Sequence, residues 1–119
     1  MDITYRSDYG FIEVNPTGKL EEENFQDLAR EIGSLEEAGS ELKGVLVYTK
    51  DFPGWERFSD LLAHGDFVRE HHDRIGKIAF CTDSNIGALL QTVGKNFAEA
   101  EVERFDFDEK DKAEKWLIA

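Results

Sequence analysis

Three acids stand where an open α/β sheet would do chemistry. Asp51, Asp83 and Asp108 each follow a segment that reads as a strand. Gathered at one edge, their carboxylates could hold a divalent cation through oxygen ligands. With a histidine beside them, they could also move protons. The simpler reading is that each caps a helix or turn, a routine task for aspartate. His64, His71 and His72 offer a second set of metal ligands. His64 and His71 would share a face of an unbroken helix, but Gly65 interrupts the pattern. No HExxH motif and no cysteine pair accompanies them, so they read as ordinary, partly exposed histidines.

Nucleophiles are few. The single cysteine, Cys81, closes the apolar run Ile78-Ala79-Phe80-Cys81 and reads as a buried, reduced, inert thiol. Ser59 falls within a helical pattern, and Ser84 reads as a cap. There is no GxSxG, no P-loop and no GxGxxG. Gly87 and Gly94 lie within a helical pattern and suggest close helix packing, not a phosphate cradle. These residues predict no enzyme, no cofactor and no resident metal.

The stretch TKDFPGW, residues 49–55, poses a different question. It places large aromatics in a turn that water would be expected to reach. Phe52 and Trp55, beside Pro53 and Gly54, could floor an apolar pocket or meet a partner. Alternatively, Trp55 starts a helix and packs into the core. The candidate partner- or ligand-binding set is therefore Asp51, Phe52, Pro53, Gly54, Trp55, Phe58, Asp83 and Ser84.

The elements that must position these residues follow from hydrophobic periodicity. Ile3–Arg6 and Tyr9–Val14 read as short strands around Ser7-Asp8, and residues 15–18 as a turn. Phe25, Leu28, Ile32 and Leu35 form one helical stripe, with Glu21-Glu22-Glu23 at its positive end and Gly39 near its stop. Leu42–Tyr48 and Lys77–Thr82 lack polar alternation and read as strands buried on both faces. Trp55–Ile75 is helical in pattern, with Asp66 able to cap a second segment after Gly65. Ile86, Leu89, Leu90, Val93 and Phe97 make another stripe, with Asp83 or Ser84 as its cap. Val102, Phe105 and Phe107 read as a last strand. Asp108 then opens a terminal helix that turns Ala113, Trp116 and Leu117 inward. The order β-β-α-β-α-β-α-β-α predicts a mixed, mainly parallel sheet with an antiparallel N-terminal hairpin. Ligands of such sheets sit beyond the carboxyl ends of the strands, where residues 49–55, 82–85 and 106–109 would meet.

Composition narrows the function classes. With 119 residues the chain is expected to be one domain, large enough for a core without staples. Its net charge of −12 repels phosphate backbones and anionic bilayers, so neither nucleic acid nor a membrane surface is an expected partner. No apolar run reaches the length of a membrane span. Met1-Asp2-Ile3-Thr4 lacks the basic start and apolar run of a secretory leader, so a cytoplasmic location is expected.

In this order and spacing the chain resembles the SpoIIAA-like branch of the STAS superfamily, the fold of bacterial anti-sigma-factor antagonists. The resemblance runs through the Gly18-Lys19-Leu20 turn, the strand Gly44–Tyr48 and the Asp51-Phe52-Pro53-Gly54-Trp55 segment. It continues through Asp66-Phe67 and His71, the strand Ile78-Ala79-Phe80 followed by Thr82-Asp83, and the closing FDFDEKDKAEKWL. It implies a four- or five-stranded sheet with helices largely on one face, and a non-catalytic regulatory or interaction domain. Partners would be a regulatory protein or an apolar, lipid-like small molecule, and a homodimer is compatible. In the antagonists a phosphorylatable serine follows the central strand in an Asp-Ser-Ser-Gly-like turn. Phe52 and Pro53 occupy the serine positions here, so no phospho-switch is expected at this turn.

Overall fold

A computed structural model describes residues 1–17, 21–52, 54–58, 76–96 and 100–119. The helical pattern read over residues 59–75, with its histidines and the Asp66 cap, lies outside the described residues. So do Pro53, Phe97 and the Gly18-Lys19-Leu20 turn.

Strand β1 (Asp2–Arg6) pairs antiparallel with β2 (Phe11–Asn15). Helix α1 (Glu22–Glu37) leads to β3 (Gly44–Tyr48), which lies parallel to β2. Residues 55–58 are helical. Strand β4 (Lys77–Cys81) lies parallel to β3, helix α2 (Gly87–Asn96) follows, and β5 (Glu101–Phe105) lies parallel to β4. A 3-10 turn (Phe107–Glu109) and helix α3 (Lys110–Ile118) close the chain. The five strands stand in sequence order, β1-β2-β3-β4-β5. This is the mixed α/β sheet that the sequence predicts.

Sequence order has a consequence. Parallel crossovers turn right-handed, so three crossovers stepping in one direction all fall on the same face. The residues obey this. Phe25, Leu28, Ile32 and Leu35 of α1, then Trp55 and Phe58, then Ile86, Leu89 and Val93 all join one core. That core takes alternate sheet residues: Ile12 and Val14, Val45 and Val47, Ile78 and Phe80. The intervening residues Phe11, Leu46, Ala79 and Cys81 face the other way, against Ala113 and Leu117 of α3. A strand with side chains in two cores carries no polar alternation, which is why β3 and β4 read as continuous apolar runs.

Local chemistry fixes the ends. Glu21 donates its amide to Asn24 Oδ1 at 2.8 Å where α1 begins, and Glu22 and Glu23 follow in its first turn. The helix closes as Gly39 and Ser40 donate to the carbonyls of Glu36 and Leu35. Helix α3 is tied down by ion pairs: Arg6 holds Glu114 at 3.0 Å, and Glu13 holds Lys110 at 3.1 Å. Lys77 Nζ donates to the carbonyl of Trp116 at 2.9 Å, near the end of α3 where carbonyls lack partners. Phe107 departs from expectation. It lies in the 3-10 turn, not in the last strand, and packs edge-on against Tyr48 with ring centres 4.6 Å apart.

Gly44 marks the tightest backbone approach. A Cβ there would stand 2.4 Å from the carbonyl oxygen of Lys77 and 2.9 Å from Leu117 Cδ2. Gly33, inside α1, has nothing within 4 Å. In urea denaturation, Gly44→Ala should therefore lose about 1–3 kcal/mol, while Gly33→Ala should gain about 0.5–1 kcal/mol through helix propensity.

Candidate functional site at the carboxyl edge of the sheet

Thr82 organises the edge. It is fully buried just past β4. Its amide donates to the carbonyl of Phe105 at 2.9 Å, and its hydroxyl donates to the carbonyl of Lys50 at 2.9 Å. The same hydroxyl accepts the amide of Ser84 at 3.2 Å, and its carbonyl accepts Arg104 Nη2 at 2.9 Å. One residue thus ties together the ends of β3, β4 and β5: its hydroxyl reaches the segment after β3, and its backbone amide and carbonyl reach β5. A buried hydroxyl left unbonded would be costly, which accounts for this density of partners.

The turn after β3 folds back. Phe52, Trp55 and Phe58 are each less than 10% exposed. Trp55 packs edge-on against Phe52 at 5.2 Å and Phe58 at 5.5 Å, and approaches Phe80 of β4 at 6.0 Å. Gly54 permits this, because a Cβ there would stand 2.4 Å from Phe52 Cζ. Ser84 Oγ accepts the amide of Phe52 at 3.2 Å. Of the two readings of this turn the structure shows the inward one: the rings of Phe52, Trp55 and Phe58 belong to the main core, between the sheet and its helices, and do not form an exposed contact face. Asp51 and Asp83 remain exposed, while Gly54 and Ser84 are half-buried. Pro53 lies outside the described residues.

The predicted caps also differ. Asp83 does not open α2. Its Oδ1 accepts the amide of Phe107 at 3.1 Å, joining the loop after β4 to the turn after β5. Ser84 is occupied with Phe52, and Asn85 Oδ1 accepts the amide of Gly87 as the helix starts. At the last turn the capping residue is Asp106, whose amide donates to Glu109 Oε1 at 2.9 Å. Asp108 plays no such part.

The connections leaving β3 and β4 turn to one face of the sheet, whereas the turn after β5 leads α3 to the other. Between them opens a depression of about 600 Å³, lined by Tyr48, Lys50, Asp83, Asp106, Phe107 and Asp108. Divergence of this kind is what makes the carboxyl edge of α/β sheets receptive to ligands. Asp83 and Asp108 share this depression, but Asp51 does not line it. Among the described residues no group of three acids, histidines or cysteines could hold a metal ion. Tyr48, Lys50 and Asp106 are not singled out by the sequence as site residues, although Lys50 and Asp106 fall in the edge segments 49–55 and 106–109. The sequence signal for all three is their position at or just beyond a strand end.

The SpoIIAA-like family model matches residues 11–118, a span holding the four parallel strands, the helices and every residue of this edge. The chain belongs to the SpoIIAA-like family. Comparison with curated proteins and with solved structures gave no match. SpoIIAA-like domains are anti-sigma-factor-antagonist-like regulators and are generally non-catalytic. No described helix is long and apolar enough to cross a membrane.

The one thiol of this SpoIIAA-like chain is ill-suited to act as a nucleophile. Cys81 Sγ donates to the carbonyl of Asp106 at 3.1 Å. Burial, with the Glu109 carboxylate adding to it, pushes its pKa from an ordinary 9.0 up to about 11. The unfolded thiol therefore ionises first. The thiol's contribution to stability is complete below pH 9 and is lost as the pH rises to 11. Over that window stability should fall more steeply in the native sequence than in Cys81→Ala, by up to about 2–3 kcal/mol in urea titrations. Equal slopes would remove this assignment.

Proposed function

We propose that this protein is a non-catalytic regulatory domain that works by binding another protein along the carboxyl edge of its sheet. The turn after β3 supports this reading. The antagonist family places its regulatory segment there, and here the turn is braced from within by Phe52, Trp55 and Ser84. That bracing leaves Lys50, Asp51 and Asp83 in water on a preformed surface. Preformed edges bind at a lower ordering cost, which suits an interaction module. Asp51-Phe52-Pro53-Gly54 carries no hydroxyl. A switch of the antagonists' kind has no acceptor at the matching positions, which Phe52 and Pro53 occupy. With Asp83, Asp106 and Asp108 around a single Lys50, the edge suits a partner with a basic contact face.

A second reading has one observation behind it. Trp55 Nε1 is buried and has no hydrogen-bond partner among the described residues. A buried indole N–H normally finds an acceptor. An apolar, lipid-like small molecule with an oxygen acceptor, seated near residues 49–67, would supply one.

Two experiments separate the readings. The immobilised protein should capture a partner from extracts of its own cells. Asp51→Arg and Lys50→Glu should change the affinity of that purified partner at least about tenfold while leaving the thermal melt unchanged. Undiminished binding by Asp51→Arg would contradict the edge as the contact surface. Native mass spectrometry of the purified protein decides the second reading: a retained apolar ligand supports it, and a clean chain mass with no thermal shift from added lipids removes it.

A further inference from the structure

Strand β1 ends the sheet, and among the described residues no strand pairs with its outer side. An open edge is a template for another strand, and proteins usually blunt it with like charges, prolines or bulges. The two edges of this sheet differ in that respect. In β5, a two-fold axis through Glu103 would set Glu103 against its own copy. An axis through Val102 would oppose Glu101 to Glu103, and one through Arg104 would oppose Arg104 to itself. Each register sets like charges opposite each other, which disfavours antiparallel self-pairing.

Strand β1 is self-complementary. An axis through Thr4, normal to the sheet, places Asp2 of one copy opposite Arg6 of the other, twice over. It places Ile3 opposite Tyr5, again twice, and Thr4 opposite Thr4. Opposite charges, a β-branched residue against an aromatic, and paired threonines are all favourable cross-strand neighbours. The faces also agree. Ile3 and Tyr5 lie half-buried at the margin of the main core, on the side of α1. Asp2, Thr4 and Arg6 lie on the side of α3. Pairing about this axis would thus extend the apolar margin of one copy into that of the next. Asp2 is exposed and makes no ion pair among the described residues. Arg6 is 30% exposed in its side chain and already serves Glu13 and Glu114, with Asp8 at 3.8 Å. The gain from the charges is therefore one of register more than of strength.

We propose that two copies of this chain associate through antiparallel pairing of β1 about Thr4, forming one continuous ten-stranded sheet. Such an interface is isologous and closes on itself, so it yields a dimer and not a fibre. It leaves the carboxyl edge of β3–β5 free in both copies and is independent of the function proposed above.

Sedimentation equilibrium of the intact protein should give twice the 13.6 kDa chain mass. Asp2→Lys, which sets like charges opposite Arg6, should weaken association roughly tenfold. Thr4→Cys should cross-link to a covalent dimer under mild oxidation, because paired Cα atoms at the axis stand about 4.5–5.5 Å apart. Cys81 is buried and will not contribute. Glu103→Cys, at the centre of β5, should stay uncross-linked. A single-chain mass throughout the concentration series overturns the proposal. So does a dimer in which Thr4→Cys fails to cross-link, since its interface would lie elsewhere.

Discussion

Right-handed crossovers between twisted parallel strands confine three successive connections of this chain to one side of its sheet. The strands stand in sequence order, so each crossover repeats the step of the last. The result is a thick aromatic and aliphatic core on one face and a bare apolar row on the other: Phe11, Leu46, Ala79 and Cys81. Only a segment that follows the last strand without needing to cross back can cover that row. Helix α3 does so, with Ala113 and Leu117 as its buried residues. The ion pairs from Arg6 and Glu13 fix its seat. They sit at its flank, partly shielded from water, and make geometry more than net stability.

The carboxyl edge follows from the same constraint. Connections from β3 and β4 go one way and the chain after β5 goes the other, so an opening is left between them. Its walls would be loose without internal ties, because loops there gain little from apolar burial. Thr82 supplies those ties through its hydroxyl, amide and carbonyl, and Asp83 adds a link to Phe107. The aromatic turn is the other half of the bracing. Phe52 folds over Gly54, and Trp55 reaches β4. A turn that drives its aromatics inward displays its charged neighbours, Lys50 and Asp51, outward.

Much of this was legible in the residues. Strands β3 and β4 announced two-sided burial through unbroken apolar runs, and the stripe from Phe25 to Leu35 marked α1 without ambiguity. The sheet edge could be located because helices and strands alternate. What the residues did not disclose was partnership at a distance. Asp83, Ser84 and Asp108 each looked like a cap, since aspartate and serine favour that role. Which amide they meet depends on the packing of segments far apart in sequence: Asp83 meets Phe107, and Ser84 meets Phe52. Phe107 reads as strand because an alternating aromatic continues the pattern of Phe105, yet β5 ends at Phe105 and the 3-10 turn begins at Phe107. For Phe52 and Trp55 the sequence allows both surface and core, with the core the simpler reading for Trp55. Only the crossover packing decides, and no local signal encodes it.

The inward seating of the aromatic turn is what makes the polar edge the accessible surface. Acrylamide quenching of tryptophan fluorescence in a Trp116→Phe variant, which leaves Trp55 as the single emitter, tests it most directly. Trp55 should emit at short wavelength and resist quenching until the protein unfolds. Quenching in the native state at the rate of a free indole would mean that Trp55 faces solvent, and would contradict the account.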